Sequence, residues 1–340
     1  MSSTIAVIGA GSWGTALARL LASQGRPVTL WAFEADLAAR LQATRINDIY
    51  LPGVILPPSL TCTTDLTQAV HEATLVVLVT PSHVLRSVAT QMAPALSPTA
   101  IITCCTKGIE IGTGRLMSEV LVEALPQHPT TLHTFLSGPS FAKEVAAEQP
   151  TAVVVAGTDR VATQRVQEVF RTPYFLTFTH DDVIGVEVGG AVKNVLAIAT
   201  GIAEGLGLGH NTRAALITRG LYEMIKLGRV LGANPLTFAG LAGLGDLVLT
   251  CTGELSRNRQ VGIALGQGTP LEKILRTMTM VAEGVATSKA VYALIQRHQL
   301  RAPICSAIYH ILHAGMPPRA ALTELTSMDL KDEFAEWLVK

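Results

Sequence analysis

The chain has 340 residues, of which 49% are hydrophobic and only 15% are charged. This composition argues against a disordered protein, and the length favours two domains over one. The 26 basic residues balance the 26 acidic residues without forming a basic block or stripe, so we expect no nucleic-acid partner.

Short runs of β-branched residues alternate with helix-like segments along the first half of the chain. This alternation is typical of a doubly wound parallel sheet with helices on both faces. A proline-rich stretch at 45–60 predicts a long loop near the mouth of the site. The predicted strands are 4–8, 28–31, 75–79, 101–104, 135–137 and 152–155, and the predicted helices include 14–23, 83–92 and 116–124.

The sequence changes character after residues 178–182, where Ala, Leu and Gly at helical spacing replace the β-branched runs. This pattern predicts helices from there to the end of the chain. We therefore predict an α/β domain with a Rossmann-like doubly wound sheet over residues 1–181, and an all-α, substrate-binding domain over residues 182–340.

The sequence predicts a cytoplasmic protein. Residues 1–4 lead directly into a predicted strand, without the charged and apolar regions of a signal peptide. The most apolar later stretch is interrupted by Glu187, Lys193 and Asn194, which argues against a membrane span. Five cysteines without Cys-x-x-Cys spacing indicate reduced, structural thiols, so we expect neither a disulfide framework nor a metal site.

A glycine-rich turn between the first strand and the first helix predicts a dinucleotide-binding loop. Gly9, Gly11 and Gly14 form the pattern G-x-G-x-x-G, which is weak alone but here follows a strand and opens a helix. In that setting the glycines permit a tight turn, a close approach of backbone to pyrophosphate, and close packing of helix on strand. The helix N-terminus adds free N–H groups for the phosphates. A glycine turn without a ligand is the alternative.

The end of the second predicted strand does not decide between NAD and NADP. An acid that binds the ribose is expected about 20 residues after the glycine pattern. The strand ends in Ala32-Phe33-Glu34, with no acid squarely in place. No arginine for a 2′-phosphate stands there either, although Arg40 and Arg45 follow. We expect Phe33 to pack against the adenosine.

Two further segments follow predicted strands, where residues of a doubly wound sheet line the ligand crevice. Lys107 can direct a charge at cofactor or substrate, and a solvated loop lysine is the alternative. Gly138 and Pro139 shape a second turn, in which Ser140 suits a helix N-cap. The N–H groups of that turn can hold a polar ligand, although a purely structural cap fits the sequence equally well.

An apolar stretch in the second half carries two polar residues beside glycines. On a helix, Lys193 lies one turn after Gly189 and Asn194 one turn after Gly190, so both side chains lean over residues without side chains. We expect this arrangement to leave room for a small molecule. Burial and a nearby charge such as Lys107 lower the pKa of a lysine, as proton transfer requires. A snorkelling lysine beside a helix-packing glycine patch is the alternative.

Two polar strings in the last third of the chain predict further ligand contacts. Asp246 stands in a glycine-rich turn before an apolar run. Ser256, Arg257 and Asn258 can offer a phosphate guanidinium hydrogen bonds and backbone N–H groups. The latter string is short and therefore weak, and a solvated surface segment is the alternative.

Taken together, these strings closely resemble the bacterial glycerol-3-phosphate dehydrogenase family, nearly from end to end. A series of strings in one order is far more specific than any one of them. The matching strings are Gly-Ala-Gly-Ser-Trp-Gly-Thr-Ala-Leu-Ala at 9–18, Tyr-Leu-Pro-Gly at 50–53, Pro-Ser-His at 81–83, Thr-Lys-Gly at 106–108, Ser-Gly-Pro-Ser-Phe-Ala-Lys-Glu at 137–144, Gly-Gly-Ala-Val-Lys-Asn at 189–194, Thr-Arg-Ala-Ala-Leu-Ile-Thr-Arg-Gly at 212–220, Gly-Leu-Gly-Asp-Leu at 243–247, Leu-Ser-Arg-Asn-Arg at 255–259 and Val-Ala-Glu-Gly at 281–284.

The resemblance implies reversible hydride transfer between NAD(P)H and dihydroxyacetone phosphate, with Lys193 as general acid/base. It also implies a cleft between the domains, a homodimer, and a role in supplying the phospholipid backbone. Phe33 replaces the family's frequent His or Arg, which leaves the preference for a 2′-phosphate open. The implied substrate contacts are Lys107, Gly138, Ser140, Asp246, Ser256, Arg257 and Asn258, to which helix position adds Asn194. The implied cofactor contacts are Ser12, Trp13, Lys107, Ala142, Arg257, Val281 and Glu283, beside Gly9, Gly11 and Gly14.

Two other functions fit parts of the sequence. Another β-hydroxyacid-type dehydrogenase would combine the same two halves with a lysine-asparagine helix, but would prefer a carboxylate substrate. A regulator that senses the NAD(P)H ratio would bind the cofactor without chemistry. Such a sensor has no need of a buried proton donor, so Lys193 and Asn194 argue against it.

Overall fold

The computed structural model of the chain describes residues 4–278, 280–328 and 333. The strands are β1 (Ile5–Ile8), β2 (Val28–Trp31), β3 (Ile46–Asn47), β4 (Leu51–Ile55), β5 (Leu60–Thr63), β6 (Leu75–Leu78), β7 (Ile101–Cys104), β8 (His133–Ser137), β9 (Thr151–Gly157) and β10 (Phe175–His180). The helices are α1 (Ser12–Ala22), α2 (Ala35–Thr44), α3 (Leu66–Val70), α4 (Leu85–Met92), α5 (Met117–Ala124), α6 (Ala142–Ala146), α7 (Arg160–Phe170), α8 (Val183–Gly205), α9 (His210–Val230), α10 (Asp246–Thr252), α11 (Arg257–Gly266), α12 (Leu271–Thr277), α13 (Glu283–Arg297), α14 (Pro303–His313) and α15 (Pro318–Thr326).

Eight strands form one sheet in the order β10-β9-β8-β7-β6-β1-β2-β5. The six strands from β8 to β5 run parallel, which confirms the predicted doubly wound sheet. Strands such as β1 and β6 are apolar and buried along their whole length, as expected for a sheet covered on both faces. Separate apolar cores fill the two faces of the sheet.

One end of the sheet differs from the prediction of a parallel sheet, because β9 runs antiparallel to β8. The connection between them contains only the five-residue helix α6. A helix of five residues is about 7.5 Å long, roughly half the length of β8, so it cannot carry the chain back across the sheet. The chain therefore turns back directly, and β10 then pairs in parallel with β9.

The loop predicted at 45–60 is wrong in part, because it contains the antiparallel pair β3–β4. Strands β5 and β10 were not predicted from the sequence. Both are edge strands of the sheet, and each carries polar residues at alternate positions, so neither forms the continuous apolar run that marks a central strand.

The second half of the chain is helical, as predicted, and is built around α8. Every residue of this helix from Gly185 to Ala203 is buried. By length and composition α8 could span a membrane, but 89% of its most apolar window is buried inside the protein, so here it is a core helix. Helix α11 lies very close to it, since a Cβ atom on Gly201 would stand 2.2 Å from the Arg259 carbonyl oxygen.

Helix α8 also joins the two halves. It packs against β8 and β9, near the edge of the sheet where the parallel strands end. Lys107 and Gly138 follow β7 and β8 at that edge. Residues after these strands therefore meet residues of α8, which begins at Val183 next to the predicted domain boundary. The boundary itself stays a prediction.

Candidate active site

Two lysines from different halves of the chain bind one buried carboxylate. Lys193 Nζ donates to Asp246 Oδ1 at 2.8 Å, and Lys107 Nζ donates to Asp246 Oδ2 at 2.6 Å. Asp246 is 1% exposed and Lys193 is 6% exposed. Lys193 Nζ also donates to Thr250 Oγ1 at 2.8 Å, and Lys107 Nζ donates to the Gly138 carbonyl at 3.1 Å. The Lys193 ammonium therefore lies between the two halves, not in bulk solvent.

The charges of this cluster set the protonation of its members. Burial lowers the pKa of Lys193 to about 8; the Asp246 carboxylate opposes that shift and the Lys107 ammonium adds to it. Burial by itself would raise the pKa of Asp246. The Lys107 and Lys193 ammonium groups lower this pKa by a larger amount, so it lies below the ordinary value of an aspartate. Asp246 is thus a carboxylate at neutral pH, beside a lysine that can hold or release a proton.

The space predicted over Gly189 and Gly190 is filled by other parts of the chain, so this expectation was wrong. A Cβ atom on Gly189 would lie 2.4 Å from the Ala242 carbonyl oxygen, and one on Gly190 would lie 2.9 Å from Ser137 Oγ. The two glycines instead let the wide turn Leu241–Gly245 and the end of β8 pack directly on α8. Asp246 follows that turn, so Gly189 brings the carboxylate to Lys193.

The turn after β8 differs from its prediction in one detail. Helix α6 begins at Ala142 with Phe141 as its N-cap, so Ser140 does not cap it. The Ser140 hydroxyl instead donates to the Gly138 carbonyl at 2.9 Å, and Lys107 donates to the same carbonyl. Gly138 has φ +134°, and a Cβ atom there would lie 2.9 Å from Val153 Cα. The turn therefore requires glycine and supports Lys107.

Two residues of the predicted polar string, Ser256 and Asn258, form hydrogen bonds within the helical half of the chain. Ser256 caps α11, accepting from the Arg259 N–H. Asn258 is buried, donating to Asn194 Oδ1 at 2.9 Å and accepting from the Gly284 N–H at 2.9 Å. Asn194 also donates to the Gly190 carbonyl. These two amides therefore tie α8, α11 and α13 together.

Arg257, by contrast, has no hydrogen-bond or ion-pair partner within the described part of the chain. Its guanidinium is half-buried, at the first position of α11. Burial lowers its pKa, and the neighbouring Glu283 carboxylate opposes that shift. A half-buried guanidinium without a partner is a good receptor for an anion.

The remaining residues predicted to bind the cofactor lie at the start of α1, at the start of α6, and at or just before the start of α13. Ser12 Oγ donates to Met280 Sδ at 3.5 Å, which connects the glycine-rich loop to the helical half. Trp13 and Ala142 pack against the same small apolar cluster. Glu283 accepts from both the N–H and the hydroxyl of Ser82. Val281 is 45% exposed.

Two residues missed by the sequence analysis hold this machinery in place. Thr250 donates to the Asp246 carbonyl at 2.6 Å and accepts from Lys193. Its place one helical turn after Asp246 is the sequence signal that could have identified it. Asn47 is fully buried and donates to the Ala10 carbonyl at 2.8 Å, inside the glycine-rich loop. It lies in the segment predicted as a loop, and no local pattern marks it.

Sequence profiles of known families match nearly the whole chain. The profile of the NAD-dependent glycerol-3-phosphate dehydrogenase N-terminus matches residues 4–163, and that of the C-terminus of the same enzyme matches residues 182–323. The chain belongs to the NAD-dependent glycerol-3-phosphate dehydrogenase family. The resemblance predicted from the motifs is thereby confirmed.

Individual members of the family match over their full length. A glycerol-3-phosphate dehydrogenase (NAD(P)+) of Geobacter sulfurreducens is 54% identical over 333 residues, which cover 98% of this chain and 99% of that one. The crystal structure of a glycerol-3-phosphate dehydrogenase from Coxiella burnetii superposes with a TM-score of 0.92 at 43% identity, covering 96% of this chain and 99% of that one. A yeast glycerol-3-phosphate dehydrogenase structure superposes at 0.80 with 28% identity, covering 95% and 99%.

The glycine-rich loop fits the dinucleotide cofactor that this family uses. Gly9 has φ +118°, and a Cβ atom on Gly14 would lie 1.8 Å from the Gly9 carbonyl oxygen, so both positions require glycine. A Cβ atom on Gly11 would meet nothing within 4 Å, so the backbone there faces open space. No side chain caps the N-terminus of α1. Free N–H groups beside open space suit a pyrophosphate.

The described residues contain no group of three His, Cys, Asp or Glu side chains placed to hold a metal ion. All five cysteines are buried and unpaired with one another. Burial raises the pKa of Cys104 to about 12 and that of Cys62 to about 11, so these thiols stay protonated and pack as small apolar groups.

Proposed function

We propose that the chain catalyses the NAD(P)H-dependent reduction of dihydroxyacetone phosphate to sn-glycerol 3-phosphate, and the reverse oxidation, with Lys193 transferring the proton. The observation that carries this proposal is the buried cluster of Lys193, Asp246 and Lys107, placed where the two halves meet. Membership of the glycerol-3-phosphate dehydrogenase family supports the choice of substrate.

The hydrogen bonds of the cluster leave one donor unused on each lysine. An ammonium group has three N–H donors. Lys193 uses two of them for Asp246 and Thr250, and Lys107 uses two for Asp246 and Gly138. The third N–H of each lysine remains for the oxygens of a substrate. Two fixed donors beside one carboxylate provide a preorganised site for developing negative charge.

When held by the glycine-rich loop, the reduced nicotinamide cofactor would supply a hydride for the ketone carbon. Lys193 then gives a proton from Nζ to the carbonyl oxygen as that oxygen becomes a hydroxyl, and neutral Lys193 recovers a proton from water. In the oxidation, neutral Lys193 takes the hydroxyl proton. Because its pKa is about 8, Lys193 has access to both forms near neutral pH. Asp246 stays ionised and orients both lysines.

Arg257 is the proposed anchor of the substrate phosphate. Its guanidinium lacks a partner among the residues that the structure describes, and its place at the first turn of α11 adds the N-terminal dipole of that helix. Binding the phosphate away from the reacting carbon positions that carbon near Lys193. The other substrate and cofactor contacts expected from the family resemblance, a homodimer, a cytoplasmic location and a role in phospholipid supply stay predictions.

The decisive experiment compares initial rates of NADH and NADPH oxidation with dihydroxyacetone phosphate, unphosphorylated dihydroxyacetone and a small keto acid. We expect turnover with the phosphorylated ketone only. Lys193→Ala should lower kcat by about 10²-fold or more, the low end of acid–base contributions. Lys273→Ala, which changes an exposed lysine on α12, is the matched control. Near-normal turnover of Lys193→Ala would remove that lysine from the mechanism, and a preference for the keto acid would refute the substrate.

A further inference from the structure

The turn formed by residues 47–50 holds the glycine-rich loop. Asn47 Nδ2 donates to the Ala10 carbonyl at 2.8 Å and to Thr15 Oγ1 at 2.7 Å, and Thr15 donates to the same carbonyl at 3.2 Å. The Tyr50 N–H closes the turn by donating to Asn47 Oδ1 at 3.0 Å. The position of Tyr50 is therefore fixed relative to the loop proposed to bind the pyrophosphate.

The same turn holds an acid that lies three residues past β2 and stands at the N-cap of α2. The Tyr50 hydroxyl donates to Glu34 Oε1 at 3.0 Å. Burial and the neighbouring Glu34 raise the pKa of Tyr50, so its hydroxyl remains a donor. Glu34 lies three residues beyond the end of β2, so the sequence alone did not mark it as the ribose-binding acid. It nevertheless stands 20 residues after Gly14, about the distance at which dinucleotide-binding folds place the acid that accepts from the ribose 2′-hydroxyl. Its Oε2 atom has no partner within the described chain, so it can accept that hydrogen bond.

Neither nearby arginine is placed to bind a 2′-phosphate. Arg40 pairs with Asp48 at 3.3 Å and lies six residues, about 9 Å, further along α2 than Glu34. Arg45 donates to the Leu60 carbonyl, and Leu60 pairs with Val28 at the opposite end of β2. Phe33, which is 80% exposed beside Glu34, carries no charge. A 2′-phosphate at this position would meet a carboxylate without a compensating cation.

We infer that Glu34, positioned by Tyr50, binds the ribose 2′-hydroxyl and makes the protein prefer NADH over NADPH. This inference rests on the proposed function for the identity of the cofactor. It assigns cofactor specificity to Glu34 and a positioning role to Tyr50, whose hydroxyl donates to Glu34.

Direct binding tests this inference without catalysis. Calorimetric titration of the full chain with NADH and with NADPH, in the absence of triose phosphate, gives the ratio of the two dissociation constants. We expect NADH to bind tighter by about tenfold or more, the effect of one hydrogen bond to a charged group. Glu34→Gln should tighten NADPH binding and reduce this ratio. Tyr50→Phe should weaken NADH binding and leave NADPH binding nearly unchanged.

Arg40→Gln is the matched control, because it removes a half-exposed charge from α2, the helix that has Glu34 at its N-cap. We expect it to leave both dissociation constants unchanged. Selective loss of NADPH binding in Arg40→Gln would mean that Arg40 moves to bind a 2′-phosphate, and would overturn the inference. Equal binding of the two cofactors by the unaltered chain, or an unchanged ratio in Glu34→Gln, would also overturn it. Since no turnover is measured, these outcomes are independent of whether dihydroxyacetone phosphate is the substrate.

Discussion

Lys193 and Lys107 donate to different oxygens of Asp246, and the charges of Asp246 and Lys107 shift the pKa of Lys193 in opposite directions. Reduction of the ketone requires protonated Lys193, so kcat/KM for dihydroxyacetone phosphate should fall as the pH rises through about 8. Oxidation of glycerol 3-phosphate requires neutral Lys193, so kcat/KM in that direction should rise through the same pH. Rates should be measured in both directions across about pH 6–10, a range of roughly two units on either side of that pKa. These rates test the pair of profiles.

Substitutions beside Lys193 should move that pH profile in opposite directions. Asp246→Asn removes the carboxylate that raises the pKa of Lys193, so the transition should move to lower pH. Lys107→Met removes the ammonium that lowers this pKa, so the transition should move to higher pH. We expect both variants to lose activity because both residues belong to the cluster. The position of the transition is therefore the readout, and a shift in the same direction for both would contradict the electrostatic argument.

Arg257 should contribute to substrate affinity more than to the chemical step. We expect Arg257→Ala to raise KM for dihydroxyacetone phosphate and to reduce the discrimination against unphosphorylated dihydroxyacetone. Arg257→Lys keeps the charge but loses the two-pronged guanidinium, so it should recover only part of the affinity. Steady-state kinetics with both ketones measures these effects. Unchanged discrimination in Arg257→Ala would exclude Arg257 as the phosphate anchor.

At the level of the element, Gly189 fixes how closely the turn before Asp246 approaches α8. Gly189→Ala would place its Cβ atom 2.4 Å from the Ala242 backbone oxygen, so the turn must move. We expect a loss of about 1–3 kcal/mol in the free energy of unfolding, typical of overpacking, together with lower kcat. Chemical denaturation and steady-state kinetics measure the two effects.

Gly190→Ala is the matched comparison on the same helix. Its Cβ atom would meet Ser137 Oγ at 2.9 Å and Lys107 Cγ at 3.5 Å, which are side-chain atoms that can shift. The gain in helix propensity from Gly to Ala, up to about 1 kcal/mol, opposes that cost. Gly190→Ala should therefore be clearly more stable than Gly189→Ala. Equal stability of the two variants would show that contact with the turn is not what requires glycine at 189.

The sequence was sufficient to predict the central elements of the fold and to single out Lys193, Lys107 and Asp246, which the structure brings together. Strands β2 and β7 match their predicted bounds, because each is a short, mostly apolar run with β-branched residues, the pattern typical of a buried strand. The edge strands β5 and β10 were missed because their polar alternation resembles loop sequence. Tertiary contacts explain the other misses. Whether Gly189 leaves a gap or receives a neighbouring turn depends on residues over 50 positions away, which no local pattern encodes.

At the level of the whole molecule, α8 is the buried core helix of the helical half and also packs against strands β8 and β9 of the sheet. Its Lys193 faces the proposed site, and its Glu187 faces the α/β half. Glu187 Oε1 accepts from the Ser118 N–H at 2.8 Å, and Oε2 accepts from the Ser118 hydroxyl at 2.6 Å, at the start of α5. The same helix therefore carries both the proposed proton donor, Lys193, and a contact with the α/β half, Glu187.

The contact between Glu187 and Ser118 should make stability depend on pH. Burial raises the pKa of Glu187 to about 7, although the two hydrogen bonds from Ser118 oppose the shift. A carboxyl group whose pKa is higher in the folded than in the unfolded protein binds more protons when folded. Its contribution to stability is complete below pH about 4, the ordinary pKa of glutamate, and is lost as the pH rises through about 7.

Two variants test this dependence from opposite sides. Glu187→Gln is neutral at every pH and its amide can donate to the Ser118 hydroxyl. Its free energy of unfolding, relative to that of the unaltered chain, should rise by about 1–3 kcal/mol as the pH increases from about 5 to about 8, the size expected for this pKa shift. Ser118→Ala removes a donor to the charged form, so its loss of stability should be larger at pH 8 than at pH 5. Denaturant unfolding at both pH values measures the differences. Parallel stability curves for all three proteins would show that Glu187 keeps one protonation state throughout, so that the two halves are joined by a contact insensitive to pH.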